Sequence, residues 1–348
     1  MARRRLAVIG AGAIGRMHVE RARMHAQVEV VAIADPSPAA EQFARAEGVR
    51  GFADYATMLD AVRPDGAIVA TPNATHVEVG LACIARGVPA LIEKPVSDSV
   101  VAAAELGRAA REAGVPLLVG HHRRHNPILR RAREIVQSGR LGKPVAANAL
   151  ATFYKPDAYF EVEWRRRAGG GPVLINLIHD IDIMRFLLGE IVEVQAQASN
   201  RVRGFDVEDT AAVLLRFDSG ALGTLAVSDC AASPWNWDLA AGEASHYPRQ
   251  QVNTHFLIGT DASLTLPQLD LWEYRSGKGW HDPLTVERCT PHGADPYHEQ
   301  LRHFAAVIAG DEAPLCSADD AARTLAATLA VHRAAATRTG VVPADVAA

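Results

Sequence analysis

The chain has few of the features that mark several common protein classes. Its 348 residues include only four cysteines, Cys83, Cys230, Cys289 and Cys316, scattered without paired spacing. A disulfide framework is therefore not expected, and a cytoplasmic protein with reduced thiols is. No apolar run approaches the length of a membrane span, so no membrane partner is expected. The opening MARRRLAVIG carries basic residues, but its apolar stretch gives way to glycines within a few positions, too soon for the core of a signal peptide. The formal net charge of -4 gives no electrostatic basis for binding nucleic acid or an anionic membrane. No internal repeat and no low-complexity segment appear. No metal site is expected either. His121, His122 and His125 cluster, but Arg123 and Arg124 interrupt them, and cations beside a metal are unfavourable.

What is present is ample apolar sequence: 49% of residues are hydrophobic and 22% charged, enough for a large core and for two domains. The first third alternates. Apolar strands read off at RLAVIG, VEVVAIAD, GAIVAT, PALIE and PLLVGHH, with helical patterns such as THVEVGLACIARG and DSVVAAAELGRAAREAG between them. Repeated strand and helix of this kind predicts a parallel, doubly wound sheet with helices on both faces. The rhythm changes after Arg124. Pro127 to Gly139 reads as a helix, PVAANALATFY as a strand and VLINLIHDIDIMRFLLG as an apolar helix. Thr210 to Asp229 reads as an antiparallel hairpin, LTLPQLDLWEY continues as strand, and helices run over 298–309 and 318–337. The expected fold is thus α/β: a Rossmann domain over residues 1–123, then an α+β domain over 124–348. The second domain is built on a large, mainly antiparallel open sheet, and its C-terminal helices can pack back on the first.

The first strand runs straight into Gly10-Ala11-Gly12-Ala13-Ile14-Gly15, with a helical pattern after it. Glycine turns are common, but strand before and helix after are the context of a dinucleotide site. Gly10 makes the tight turn, Gly12 lets a pyrophosphate approach the backbone, and Gly15 lets helix and strand pack closely, with Ala13 and Ile14 completing the cofactor turn. Asp35 follows the last glycine by about twenty residues, as the ribose-binding acid does. Its carboxylate accepts from ribose hydroxyls and repels a 2′-phosphate, and no arginine follows within Pro36-Ser37-Pro38. NAD is favoured over NADP.

At this point the residues resemble the glucose–fructose oxidoreductase and inositol dehydrogenase family (Gfo/Idh/MocA). The resemblance rests on Gly10-x-Gly12-x-x-Gly15-x-x-His18, on Thr71-Pro72-Asn73-x-x-His76, and on Glu93-Lys94-Pro95. It continues with Gly169-Gly170-Gly171, the helix holding Ile178-His179-Asp180-Ile181-Asp182, and the closing Gln300-Leu301-Arg302-His303-Phe304. The resemblance implies a two-domain oxidoreductase for sugars, cyclitols and related polyols, using NAD or NADP. It implies that Thr71, Pro72, Asn73, His76 and Glu93 face the cofactor, and that Lys94 is a catalytic lysine beside the nicotinamide. Elementary chemistry agrees. Ligands bind outside the carboxyl ends of strands in open α/β sheets, which is where Lys94 falls. Hydride loss from an alcohol carbon leaves a proton on oxygen, and an ammonium group can hold that oxygen while burial lowers its pKa. Glu93 would orient Lys94 or the nicotinamide ribose.

The apolar helix from Val173 carries Asn176, His179 and Asp180 three or four residues apart, and so on one face. His179 is the natural acid/base. Active family members often have an aspartate four residues before this histidine; here that position is Ile175. Either Lys94 and His179 carry the proton alone, or Asp180 stands in for the missing acid. Asn176 can hold a substrate hydroxyl but cannot take its proton. His122 and Arg124 are expected to line the cleft where the last strand ends. Tyr154, within FYKPDAYF, and Trp164 and Arg165, within WRRR, supply aromatic and cationic groups for a polyol or acid sugar. They suit an oligomer contact equally, as do the tryptophans of SPWNWD (Ser233 to Asp238). The apolar hairpin predicts a homodimer or homotetramer through the second domain's sheet. The reading is an NAD-dependent dehydrogenase of a sugar, cyclitol or polyol, with substrate between the domains. Two others remain open: a dehydrogenase of a non-sugar ring such as a dihydrodiol, and a non-catalytic sugar or nucleotide sensor.

Overall fold

A computed structural model describes residues 3–244 and 246–347, and its contacts divide the chain into two compact units. One comprises Met1–His125 with Ala294–Leu325, the other Asn126–Gly293 with Ala326–Ala348.

The first unit begins with β1 (Arg4–Ile9), α1 (Ala13–Arg23), β2 (Val28–Ala34), α2 (Pro38–Ala46), β3 (Arg50–Phe52) and α3 (Tyr55–Val62). It continues with β4 (Gly66–Val69), α4 (His76–Ile84), β5 (Ala90–Ile92), α5 (Val100–Ala113) and β6 (Leu117–Val119). The six strands form one parallel sheet in the order β3-β2-β1-β4-β5-β6. This is the doubly wound arrangement, in which the order reverses beside β1 and opens a crevice at the carboxyl ends. The strands are apolar because helices cover both faces. Leu6, Val8, Ile68, Leu91 and Leu118 are fully buried. Local sequence sets the helix ends. The Asp54 carboxylate accepts from the Thr57 amide at 2.7 Å at the start of α3, and Gly114 closes α5 at φ +65°.

The second unit runs α6 (Pro127–Gln137), β7 (Pro144–Thr152), α7 (Ile178–Leu188), β8 (Ile191–Ser199), β9 (Thr210–Phe217), β10 (Leu222–Ser228) and α8 (Trp237–Ala241). Then come β11 (His255–Gly259), β12 (Ala262–Leu266), β13 (Asp270–Glu273) and β14 (Thr285–Arg288). Its eight strands lie in the order β14-β13-β12-β11-β7-β10-β9-β8. All pairings are antiparallel except β7 with β10. Side chains alternate along β9: Ala211, Val213, Leu215 and Phe217 are buried, while Leu214 on the opposite face is 54% exposed. Helices α6 and α7 pack on each other, α7 against β7 and α6 against β12. Leu222, Trp272 and Val286 also stand exposed.

The chain closes with α9 (Pro296–Ala309) and α10 (Ala318–Thr337). Asp295 caps α9, accepting from the amides of Tyr297 at 2.9 Å and His298 at 3.1 Å. The helix carries Leu301, Phe304 and Ala305 into the same apolar cluster as Leu6, Val28 and Ile68. Gly66 of β4 makes room for it, since a Cβ there would stand 3.1 Å from the Phe304 ring. Phe304→Ala should therefore cost the first unit about 3–5 kcal/mol. Calorimetry or chemical denaturation reads this directly, and an unchanged unfolding midpoint would show that α9 does not help hold this core.

Candidate active site

The turn after β1 is set by sterics. Gly10 lies at φ +96°, and a Cβ on it would meet the Ala70 carbonyl oxygen at 2.5 Å. A Cβ on Gly15 would lie 1.9 Å from the Gly10 carbonyl oxygen, so only glycine lets α1 start this close to its strand. Gly12, Ala13 and Ile14 are exposed, and nothing stands within 4 Å of where a Gly12 Cβ would be. The first turn of α1 contains no acidic residue, leaving its amide groups and dipole facing open space where a pyrophosphate fits. Asp35 ends β2. Its Oδ2 accepts from the Ala11 amide at 2.8 Å, and its Oδ1 from the Ser37 amide at 2.9 Å and hydroxyl at 2.7 Å. Burial works to raise its carboxyl pKa, but the Ser37 and Ala11 bonds outweigh that and hold it below the usual value. The site thus offers a fixed carboxylate beside the glycine turn, as a dinucleotide's adenine ribose requires.

After β4, Thr71-Pro72-Asn73 turns into α4. Here the structure gives His76 a position between two loops. The ring is 1% exposed, with Nδ1 2.8 Å from the Pro95 carbonyl oxygen and Nε2 2.8 Å from the Thr71 carbonyl oxygen. The turn after β4 is in this way tied to the turn after β5.

Glu93 and Lys94 leave the carboxyl end of β5, both half-buried. Gly120, at the end of β6, makes room for the acid: a Cβ there would lie 3.0 Å from the Glu93 carboxylate. Glu93 Oε1 stands 2.7 Å from His18 Nε2, and Oε2 accepts from the Lys94 amide at 3.3 Å. Burial pushes the Glu93 carboxyl upward, but the bond from His18 and the charges of His18, His122 and Lys94 prevail and hold it below its ordinary value. The His122 ring stacks on Tyr297 at 4.4 Å between centroids. Arg124 is placed differently from its neighbours. It is 3% exposed, with its guanidinium on Asp320 and 3.3 Å from the Leu315 carbonyl oxygen, inside the first unit's framework.

In the second unit, the glycine triplet allows close passage. A Cβ on Gly170 would meet the Trp164 carbonyl oxygen at 2.4 Å, and one on Gly171 the Glu208 carboxylate at 2.3 Å. Glu208 in turn accepts from the Val173 amide at 3.0 Å and stands 3.4 Å from His332. Burial favours a raised carboxyl pKa there, but His332 and the Val173 amide bring it below the usual range. Residues Val173–Leu177 are wound as a π turn before α7 begins. The turn holds Asn176, half-buried, whose Oδ1 is inaccessible and has no hydrogen-bond donor among the described residues. His179 is 8% exposed. Asp180 is 2% exposed and lies 3.1 Å from His255 Nε2 of β11, so it faces a histidine within its own unit. Tyr154 and Trp164 are 55% and 54% exposed. Arg165 donates to the Tyr159 carbonyl at 2.7 Å and lies 4.0 Å over the Tyr159 ring. Beside them, Asp229 gathers Arg203 at 2.9 Å and Lys155 at 3.6 Å. Sequence reasoning missed Glu208, His255, Asp229 and Tyr297, because each acts through a partner distant in the chain. Only the glycine triplet before Val173 hinted that something must pack close there.

Residues 4–121 match the family model described as an oxidoreductase family with an NAD-binding Rossmann fold, and residues 129–264 match the GFO/IDH/MocA C-terminal domain. The 1,5-anhydro-D-fructose reductase of Ensifer adhaerens is 31% identical over 346 residues, 96% of either chain. The chain belongs to the Gfo/Idh/MocA oxidoreductase family. Inositol 2-dehydrogenase 2 of Saccharopolyspora erythraea is 31% identical over 231 residues, 62% of this chain and 64% of the relative. This chain thus spans less than two thirds of that relative's length. Among solved structures, the scyllo-inositol dehydrogenase of Lactobacillus casei with bound NAD(H) and scyllo-inositol superposes with a TM-score of 0.79 at 20% identity. That match covers 98% of this chain and 99% of the other and shows the shared fold. No helix among the described residues is long and apolar enough to cross a membrane.

Asp35→Ala should weaken NAD binding and narrow the preference over NADP, read by titration of both cofactors. A wild type that binds NADP at least as tightly as NAD would contradict the role of this carboxylate.

Proposed function

We propose that this oxidoreductase dehydrogenates a secondary hydroxyl of a cyclitol or sugar. The observation that carries the reading is the Asn176 Oδ1, a buried acceptor with no donor, one turn before His179. Leaving such an atom unpaired is costly, and a polyol hydroxyl supplies the missing donor. The relatives named above, an inositol dehydrogenase and a sugar reductase, support this class and do not favour the dihydrodiol or sensor readings.

In this reading NAD, when bound, accepts the hydride at its nicotinamide ring. Gly12 and the amides beginning α1 hold the pyrophosphate, and Asp35 holds the adenine ribose, with the turn at Thr71–Asn73 completing the cofactor site. Lys94, leaving β5 beside the ionised Glu93, hydrogen-bonds the reacting oxygen. The family resemblance pairs it with His179, which takes the hydroxyl proton. Asn176 positions the substrate. Asp180, facing His255, orients the start of α7. His122 keeps its place near the end of β6, stacked on Tyr297, as part of the substrate wall; Arg124 holds that wall from behind through Asp320. Tyr154, Trp164 and Arg165 offer an aromatic and cationic surface to a sugar. The four cysteines, none of them in a disulfide among the described residues, fit a reducing, cytoplasmic setting.

Lys94→Ala removes the group that polarises the reacting oxygen, and His179→Ala the proton acceptor. Each should cost roughly a hundredfold or more in turnover while leaving NAD affinity within a few fold. His179→Ala should also flatten the pH dependence of turnover near neutrality. NADH formation with a panel of cyclitols, sugars and sugar acids measures all three. Turnover within threefold of wild type for Lys94→Ala would overturn the mechanism.

We propose in addition that the protein assembles as a dimer or tetramer through the second unit's sheet. Leu214 and Leu222 on the β9–β10 hairpin, at 54% and 59% exposure, and Trp272 on β13 support this, being larger apolar groups than a free sheet face usually shows. Sedimentation at micromolar concentration should give a species of at least two chains, and a clean monomer would count decisively against it.

A further inference from the structure

His18 plays no part in the scheme above, yet its position gives it one. It lies on α1, a full turn beyond Gly15, and its side chain is fully buried. Its Nε2 meets Glu93 Oε1 at 2.7 Å, across 75 positions of sequence. Its Nδ1 is buried and has no partner. An unfilled ring lone pair costs less in that place than an unpaired N–H, so the proton belongs on Nε2, where it is donated to Glu93. The carboxylate's other oxygen accepts from the Lys94 amide. Three further groups surround this pair. His122, stacked on Tyr297, contributes its charge to Glu93, as does Lys94 from the same turn. Tyr297, at the start of α9, stands edge-on to the His18 ring at 6.0 Å. Glu93 is only 12% exposed, so water supplies little of what His18 gives it.

We propose that His18 is a positioning residue for the dehydrogenase reaction. It donates from Nε2 to Glu93 and fixes a charged carboxylate at the base of Lys94. The proposal rests on the reading of Lys94 as the residue that holds the reacting oxygen. A lysine on a long flexible stem is useful in catalysis only if its stem and counter-charge are held. Here the counter-charge is the half-buried Glu93 carboxylate, which accepts from the Lys94 main-chain amide and whose charge acts on Lys94, and it is held ionised because a histidine and a backbone amide both donate to it. A histidine that merely filled space between α1 and β5 would need no nitrogen at 2.7 Å from an acid.

The test compares His18→Leu, which fills the space but cannot donate, with His18→Gln, whose amide reaches for the same oxygen. His18→Leu should keep NAD affinity within threefold and lower kcat tenfold or more. The low-pH end of the kcat profile, below the step set by His179, should move up by at least half a pH unit, because a half-buried Glu93 without its donor takes its proton at higher pH. His18→Gln should recover most of the rate. Should the leucine variant not fold, Glu93→Gln serves instead, since adding His18→Gln to it should change kcat no further if the two residues act only through each other. Leucine turnover within threefold with an unmoved acid limb would overturn the proposal, as would a glutamine variant no better than leucine. Carboxyl-carbon NMR of Glu93 separates this proposal from the dehydrogenase reading. A wild type that reduces no NAD with any cyclitol or sugar sinks that reading. The carboxyl titration of His18→Leu against wild type then decides the His18–Glu93 bond alone, an upward shift supporting it and none overturning it.

Discussion

A parallel sheet covered on both faces admits polar groups only at its ends, and this constraint organises the first unit. Every strand from β1 to β6 runs the same way, so all the carboxyl ends open on one edge. Gly10 follows β1, Asp35 follows β2, Thr71 follows β4, Glu93 and Lys94 follow β5, and Gly120 to His122 follow β6. These residues lie far apart in the sequence, and the shared direction of the strands alone brings them to one edge. The apolar runs that look like mere core-filling are what deliver the chemistry to a common place.

Bringing polar groups together at the rim of a core creates a second requirement, because each is partly removed from water and must find partners within the loops themselves. The structure meets it by having each loop satisfy its neighbour. Asp35 takes the amide of Ala11, joining the second strand's loop to the first's. His76 spans the carbonyls of Thr71 and Pro95, joining the fourth to the fifth. His18 joins α1 to Glu93. The outcome is a rim whose loops are mutually braced, which suits the site we propose, one that holds a long cofactor and aims Lys94. Steric fit works alongside: Gly15 and Gly120 are glycines because a carbonyl or a carboxylate occupies the space a side chain would take.

The sequence made much of this legible, for identifiable reasons. The first unit's strands were readable because burial on both faces writes them as unbroken apolar runs. The β9–β10 hairpin was readable because one-sided burial writes alternation. Strand β8, IVEVQAQAS, escaped notice since most of its residues are polar or partly exposed and it is held by pairing with β9. Strand β11 lies between loops and owes its existence to β7 and β12. The parallel pairing of β7 with β10 joins segments some seventy residues apart, and no local pattern announces it. Among site residues, the glycines and Asp35 were visible because a nucleotide demands them at fixed spacing. The histidine partners were not, because His18 with Glu93 and His255 with Asp180 are contacts of tertiary structure.

The helix after the glycine triplet shows how a spacing rule can mislead. Asn176, His179 and Asp180 fall three or four apart, which on an α-helix means one face. But Val173–Leu177 is wound as a π turn, in which each residue advances less around the axis. The wider winding turns Asn176 away from the strict α register and leaves Ile175 nearer the line of His179. The position four residues before His179 is the apolar Ile175, and Asn176 next to it carries a buried amide oxygen with no donor among the described residues. An amide cannot store a proton, so in the mechanism we propose the proton work falls to Lys94 and His179. In that mechanism the braced rim around Lys94 matters, because the charge of Glu93 lies in the very turn from which that lysine leaves its strand.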